Sequence, residues 1–225
     1  MSKTVLIAGA SRGIGLEFAV QYAAEGWRVI AACRSPEQAR GWLPAEVDVQ
    51  TLDVTSPESI AALGWYLDDA PLDLVICNAG VFGPDTGSFA APGDSAFDEV
   101  MHTNVLAPMR LIQVFGSCVA SARGVLAVMS SRMGSIGDAT GSDAMAYRCS
   151  KAAANMVVKA AANEYGPRGA CVIALHPGWV RTDMGGEGAQ LGVIESVEGL
   201  RRVIADVDEG DNGHFIDYAG RHLPW

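Results

Sequence analysis

Short runs of Val, Ile, Leu and Ala recur along the 225-residue chain, at Val5 to Ala8, Val29 to Ala32, Val47 to Leu52, Leu72 to Cys77, Val125 to Met129 and Val172 to Leu175. Helix-like stretches separate most of them, among them Ile14 to Glu25, Pro57 to Tyr66, Phe97 to Ser121 and Ala144 to Tyr165. An apolar run without alternation suits a strand covered on both faces, and regular alternation with helices implies crossover connections between parallel strands. The pattern predicts an α/β, single-domain, doubly wound (Rossmann) fold with a parallel sheet of about seven strands and helices on both faces. Gly213 to Ile216 is the expected last strand. With 225 residues, 49% of them hydrophobic, there is material for one substantial core, so residues 1–225 read as a single unit with an integral substrate site. The glycine-rich stretches Gly83 to Gly93 and Gly185 to Gly192 are expected to follow strand C-terminal ends and to border a ligand crevice.

A formal charge of -10 and a pI near 4.7 argue against nucleic acid or an anionic membrane as partner, because either demands clustered positive charge. No apolar run approaches the roughly 20 residues that cross a bilayer, and Met1-Ser2-Lys3-Thr4 leads directly into a strand without a cleavage-site pattern. Cys33, Cys77, Cys118, Cys149 and Cys171 are odd in number, scattered and without metal-ligand spacing. Free thiols, no metal and a cytoplasmic location are expected.

The first run leads into Gly9-Ala10-Ser11-Arg12-Gly13-Ile14-Gly15 and then a helix. Glycines let the backbone turn tightly against a pyrophosphate, and the free amides of a helix N-terminus attract negative charge. Gly9, Ser11, Arg12, Gly13, Ile14 and Gly15 are therefore candidate cofactor-binding residues. Where an NAD site places an acidic residue, after the second strand, this chain reads Ala31-Ala32-Cys33-Arg34-Ser35. Arg34, with Arg12, would attract a 2′-phosphate that a carboxylate would repel, which favours NADP(H) over NAD(H).

Tyr147 and Lys151 stand at i and i+4 on one helix face. An ammonium beside a phenol favours phenolate, so the pair is expected to lower the Tyr147 pKa and exchange a proton with a substrate oxygen.

The ordered set Gly9-x-x-x-Gly13-x-Gly15, Asp53-Val54, Asn78-Ala79-Gly80, Asn104, Ser130-Ser131, Tyr147-x-x-x-Lys151 and Pro177 to Asp183 resembles the short-chain dehydrogenase/reductase family over nearly the whole chain. Ser130 to Gly137 and Tyr218 to Trp225 resemble its compact carbonyl-reductase and C-factor-like branch. The resemblance implies Tyr147 as general acid/base, Ser131 as hydrogen-bond donor to the substrate carbonyl, Lys151 on the nicotinamide ribose and Asn104 ordering a relay water. It also implies Asp53 and Val54 on adenine, Asn78, Ala79 and Gly80 along the cofactor, and Pro177, Gly178, Val180 and Thr182 framing the nicotinamide.

Sixteen positions separate Ser131 from Tyr147, more than in many relatives, so Gly137 to Asp143 reads as a small insertion. Ser130, Ser131 and Ser135 are all candidates for the substrate-binding serine; Ser131, which closely follows the Val125 to Met129 strand, is the first choice and Ser135 the second. His176 is expected to be structural, and Cys149, facing away from Tyr147 and Lys151, to be packing. The implied activity is a dehydrogenase or reductase for a small carbonyl or alcohol, in a possible homodimer or homotetramer. The alternative is a non-catalytic dinucleotide-binding sensor or signalling protein.

Overall fold

A computed structural model describes residues 2–225. Seven parallel strands lie in the order β3-β2-β1-β4-β5-β6-β7. They are β1 (Thr4–Ala8), β2 (Arg28–Cys33), β3 (Asp48–Thr51), β4 (Leu74–Cys77), β5 (Val125–Met129), β6 (Cys171–His176) and β7 (Phe215–Asp217). Successive side chains feed opposite cores, which is why the runs are apolar throughout. Leu6, Val75, Leu126 and Val172 face one layer, with Leu63 of α3 (Pro57–Leu67), Phe115 of α5 (Ala107–Ala122) and Val158 of α6 (Met145–Tyr165). Val5, Ile7, Ile76 and Ile173 face the other, with Phe18 of α1 (Gly13–Ala24) and Leu200 of α7 (Val193–Asp206).

Several local expectations are corrected. The last strand is Phe215–Asp217, because Gly213 and His214 are held in the preceding turn, where the His214 N–H donates to the Asp211 carbonyl at 3.0 Å. The fourth strand starts at Leu74, the Leu72 amide donating to Cys118 O at 3.3 Å outside the sheet.

The helix expected over Phe97 to Ser121 is three segments: α4 (Asp94–Met101), a π-helical turn over His102–Leu106, and α5. Pro108 has no N–H to donate one turn back, and the widened turn lies next to it. Together Asp94–Ala122 form 29 helical residues that could cross a membrane by length and composition, contrary to the sequence expectation. Val100, Leu111, Phe115 and Val119 are buried in the protein, so this is a core helix. Two helices were not anticipated: the single turn α2 (Pro36–Ala39) and α7. Cys149 is exposed rather than packed, although it does turn away from the Tyr147 face.

Chain order reverses between β1 and β4, and the helices α1 and α5 that follow them in the chain pack on opposite faces of the sheet. The C-terminal ends of these two strands are the topological switch point, the position at which sheets of this topology bind ligands in a crevice.

Candidate active site

The turn after β1 is fixed by backbone contact. Gly9 has φ +95°, and a side-chain carbon there would meet the Ala79 amide nitrogen at 2.7 Å. The Asn78 amide Nδ2 donates to the Gly9 carbonyl at 2.8 Å, and Asn78 N and Ala79 N both donate to Ala8 O. Asn78 thus braces the glycine turn from behind. Arg12 enters α1 in extended conformation with no side-chain cap, and no acidic residue occupies the helix's first turn. Its leading amides and positive dipole end are left for an anion. This turn fits a dinucleotide pyrophosphate: Gly13 is approached only by Thr182, whose Cγ2 lies 3.3 Å from where a Cβ would stand.

Arg34 is exposed at the end of β2, close enough to Asp53 to help hold that carboxyl below its usual range. The larger causes are the Thr55 hydroxyl and amide, which donate to Asp53 Oδ1 at 2.7 and 2.9 Å. Asp53 therefore closes its own turn, with buried Val54 beside it. Arg12 departs from expectation. Its Nη1 lies 2.7 Å from Asp183 Oδ2, in the segment after β6, so it does not join Arg34. A carboxylate across the crevice competes for its charge.

At the other end, Tyr147 and Lys151 come from the first turns of α6 and are both buried. Lys151 Nζ lies 5.5 Å from the Tyr147 ring centroid and donates to Met129 O at 2.8 Å. Phe82 packs on the phenol ring, with centroids 4.7 Å apart. Burial pushes the Tyr147 phenol up to about 12, and the Ser131 hydroxyl beside it pulls the other way. Burial also brings Lys151 down to about 8. The expectation of an ammonium-depressed phenol is not met: burial shifts both groups toward their neutral forms, and the Ser131 hydroxyl, not Lys151, is what opposes it at Tyr147.

The depressed lysine has a measurable consequence. Its contribution to stability is fully present above the ordinary 10.5 and is lost as pH falls through about 8. Thermal unfolding across that window is expected to show the wild type gaining on Lys151→Met as pH rises. A constant difference between the two proteins would contradict it.

The three serines are separated by their partners. Ser130 Oγ donates to Asn155 Oδ1 at 2.5 Å, and Ser135 Oγ donates to the Pro224 carbonyl at 2.7 Å; both are buried. Ser131 Oγ accepts from Met133 N at 3.2 Å and faces Tyr147. Asn104 lies in the π-helical turn. Its Oδ1 accepts from Val81 N at 2.9 Å, and its Nδ2 donates to Val81 O at 2.8 Å and to Ser150 Oγ at 2.9 Å. It clamps the segment after β4 onto α6, and Gly80 passes close beside it and Lys151: a side-chain carbon there would stand 3.3 Å from Asn104 Oδ1 and 3.5 Å from Lys151 Nζ. His176 Nδ1 accepts from Arg132 N at 3.3 Å, and burial, with Arg132 beside it, lowers its pKa to about 4.

Pro177, Gly178, Val180 and Thr182 lie in the segment that returns from β6. Val180 bridges to Leu191, and Thr182 Oγ1 accepts from Gly185 N at 3.1 Å. Of the sequence-assigned residues, the structure brings Ser131, Tyr147, Lys151, Asn104 and Gly80 together. Gly9 to Gly15 and Thr182 form a second group, and Arg34, Asp53 and Val54 a third, along the same strand ends. Phe82, Asn155 and the Asp183 partner of Arg12 escaped the sequence reading. Only Asp183, in the Pro177 to Asp183 motif, had left a signal.

Residues 3–190 match a family described as short chain dehydrogenase. The C-signal protein of Myxococcus xanthus is 41% identical over 160 residues, covering 69% of this chain and 93% of that one. A 1-hydroxy-2-glutathionyl-2-methyl-3-butene dehydrogenase of Rhodococcus sp. strain AD45 is 33% identical over 99% of both chains. Among solved structures, a carbonyl reductase of Pseudomonas aeruginosa PAO1 in complex with NADP superposes with a TM-score of 0.87 and 34% identity, covering 100% of both chains.

Proposed function

The chain belongs to the short-chain dehydrogenase/reductase family, and on that ground we propose that it is an NADP(H)-dependent reductase of small carbonyl compounds, with Tyr147 as the proton donor. The observation that supports this best is the convergence of a buried phenol, the Ser131 hydroxyl and the Lys151 ammonium at the C-terminal end of β5. When bound, the nicotinamide supplies or accepts the hydride. Ser131 would hold the substrate oxygen, and Tyr147 would deliver a proton to it as the carbonyl becomes an alcohol. Lys151 has ammonium protons beyond the one given to Met129 O and would hold the ribose. Asn104 would position this group through its clamp on Val81 and Ser150.

The test is NADPH oxidation by purified protein with aldehydes, ketones and quinones. Turnover of at least one class is expected. NADPH binding without turnover of any would favour a second reading, a dinucleotide-binding signalling protein, which the 41% identity to C-signal supports.

The cofactor preference rests on Arg34, since Arg12 is paired elsewhere. A hydrogen bond from a charged group is worth about 1.5–3 kcal/mol, so Arg34→Ala should weaken NADPH about 10- to 100-fold and NADH little. Equal wild-type affinities for the two cofactors would remove the basis for the preference. We infer a cytoplasmic location from the odd number and scattered spacing of the cysteines.

A further inference from the structure

Outside the crevice, Asp211, His214 and His222 offer ligand atoms that all lie within 4.8 Å of one another. We propose that these three residues bind one divalent transition-metal ion, with Zn²⁺ the best fit, and that the ion clasps the last segment of sequence to the sheet.

The topology makes the cluster. Asp211 closes the 3-10 turn Glu209–Asp211, and His214 directly precedes β7. A tight turn follows, closed by Gly220 N donating to Asp217 O at 2.9 Å, and the chain returns antiparallel so that His222 pairs with Ile216. The His214 and His222 rings then stand 5.0 Å apart, and His222 Nε2 lies 3.0 Å from Asp211 Oδ1. Two imidazoles and one carboxylate form a donor set that zinc takes readily, at about 2.0–2.2 Å per bond.

A plain ion pair between Asp211 and His222 leaves one fact unexplained. His214 Nδ1 is buried and has no hydrogen-bond partner among the described residues. Burying such an atom unpaired is costly, and an ion coordinated by Nδ1 would supply the missing partner. Asp211 and His222 also line a cavity of about 580 Å³, with Arg202, Asp206 and Tyr218, which supplies an entry path and room for water as a further ligand. On binding, the ion displaces the proton between His222 Nε2 and Asp211 Oδ1 to solvent, with no change of oxidation state. The expectation of no metal had rested on cysteine spacing, which does not report on these residues.

The clasp has a mechanical role. Beyond His222, Trp225 stacks on Phe215 with centroids 5.8 Å apart, and the Pro224 and Trp225 carbonyls accept from Ser135 Oγ and Gly137 N. Fixing His222 therefore stiffens the anchor of the loop that follows Ser131.

The test uses tag-free, chelator-treated full chain, titrated with Zn²⁺ by calorimetry and with Co²⁺ by absorption. One ion per chain is expected, with a nitrogen/oxygen cobalt spectrum, a Zn²⁺-dependent rise in Tm, and at least about tenfold weaker binding in both His214→Gln and His222→Gln. Absence of binding by the wild type, unchanged affinity in both variants, or a thiolate-to-cobalt band placing the ion on cysteines would each overturn the proposal. The wild-type cobalt spectrum decides the matter even where a variant does not fold.

Discussion

Tyr147→Phe is expected to lower kcat for carbonyl reduction by roughly 10²–10⁴-fold while leaving NADPH affinity near the wild-type value. The substitution removes one oxygen and keeps the ring, so the packing against Phe82 survives and Lys151 retains its bond to Met129 O. What would be lost is the proposed proton donor beside Ser131, at a side chain that is itself buried. A loss of that size corresponds to about 3–5 kcal/mol of barrier. Stopped-flow single turnovers with saturating NADPH separate the proton-transfer defect from product release. A variant that turns over at the wild-type rate would remove Tyr147 from the chemistry and leave Ser131 and Lys151 to be tested in its place.

The second large effect is expected at the phosphate turn. A side-chain carbon at Gly15 would collide with the Gly9 carbonyl oxygen and stand 2.6 Å from Asn78 Nδ2, the two atoms whose hydrogen bond braces the turn. Neither can yield, because Gly9 is pressed against the Ala79 backbone. Gly15→Ala should cost about 2–3 kcal/mol through overpacking. For a chain of this length that is a fall in Tm of about 4–12 °C. NADPH affinity should fall at least about tenfold, since the leading amides of α1 are displaced with the turn. Differential scanning fluorimetry and a fluorescence titration check both. An unchanged Tm together with unchanged affinity would show that the turn is not held as described.

The sheet was legible in the sequence because strands buried on both faces are apolar at every position, and this signal survives without knowledge of their neighbours. Helix α7 was not: its buried Val197, Leu200, Val203 and Ile204 have helical spacing, but Gly192 is a weak start signal and Gly199 interrupts the helix formers. The π-helical turn was also hidden, since Pro108 announces a disturbance without saying which kind. For the candidate site, motif order located the segments, whereas partner choice depended on tertiary contacts. Position after the strand ranks Ser131 ahead of Ser135 in the sequence, and the fold adds that the return of Pro224 takes up the Ser135 hydroxyl. Arg12 and Arg34 were assigned together as two cations near one turn, and only the fold shows that Asp183 reaches one of them. The phenol pKa was misjudged for the same reason, since pair spacing carries the attraction but not the depth of burial.

The Arg12–Asp183 pair also bears on kinetics. Both side chains are about three-quarters exposed, at 74% and 76%, and an exposed pair of this kind contributes at most about 1 kcal/mol. Its two ends belong to the phosphate turn and to the segment returning from β6, so it ties the two like a hook. One kcal/mol is a factor of about five in population, and salt weakens it further. The hook by itself therefore comes unfastened for part of the time, and on the proposed function the dwell time of a nucleotide is expected to depend on its own contacts more than on this pair.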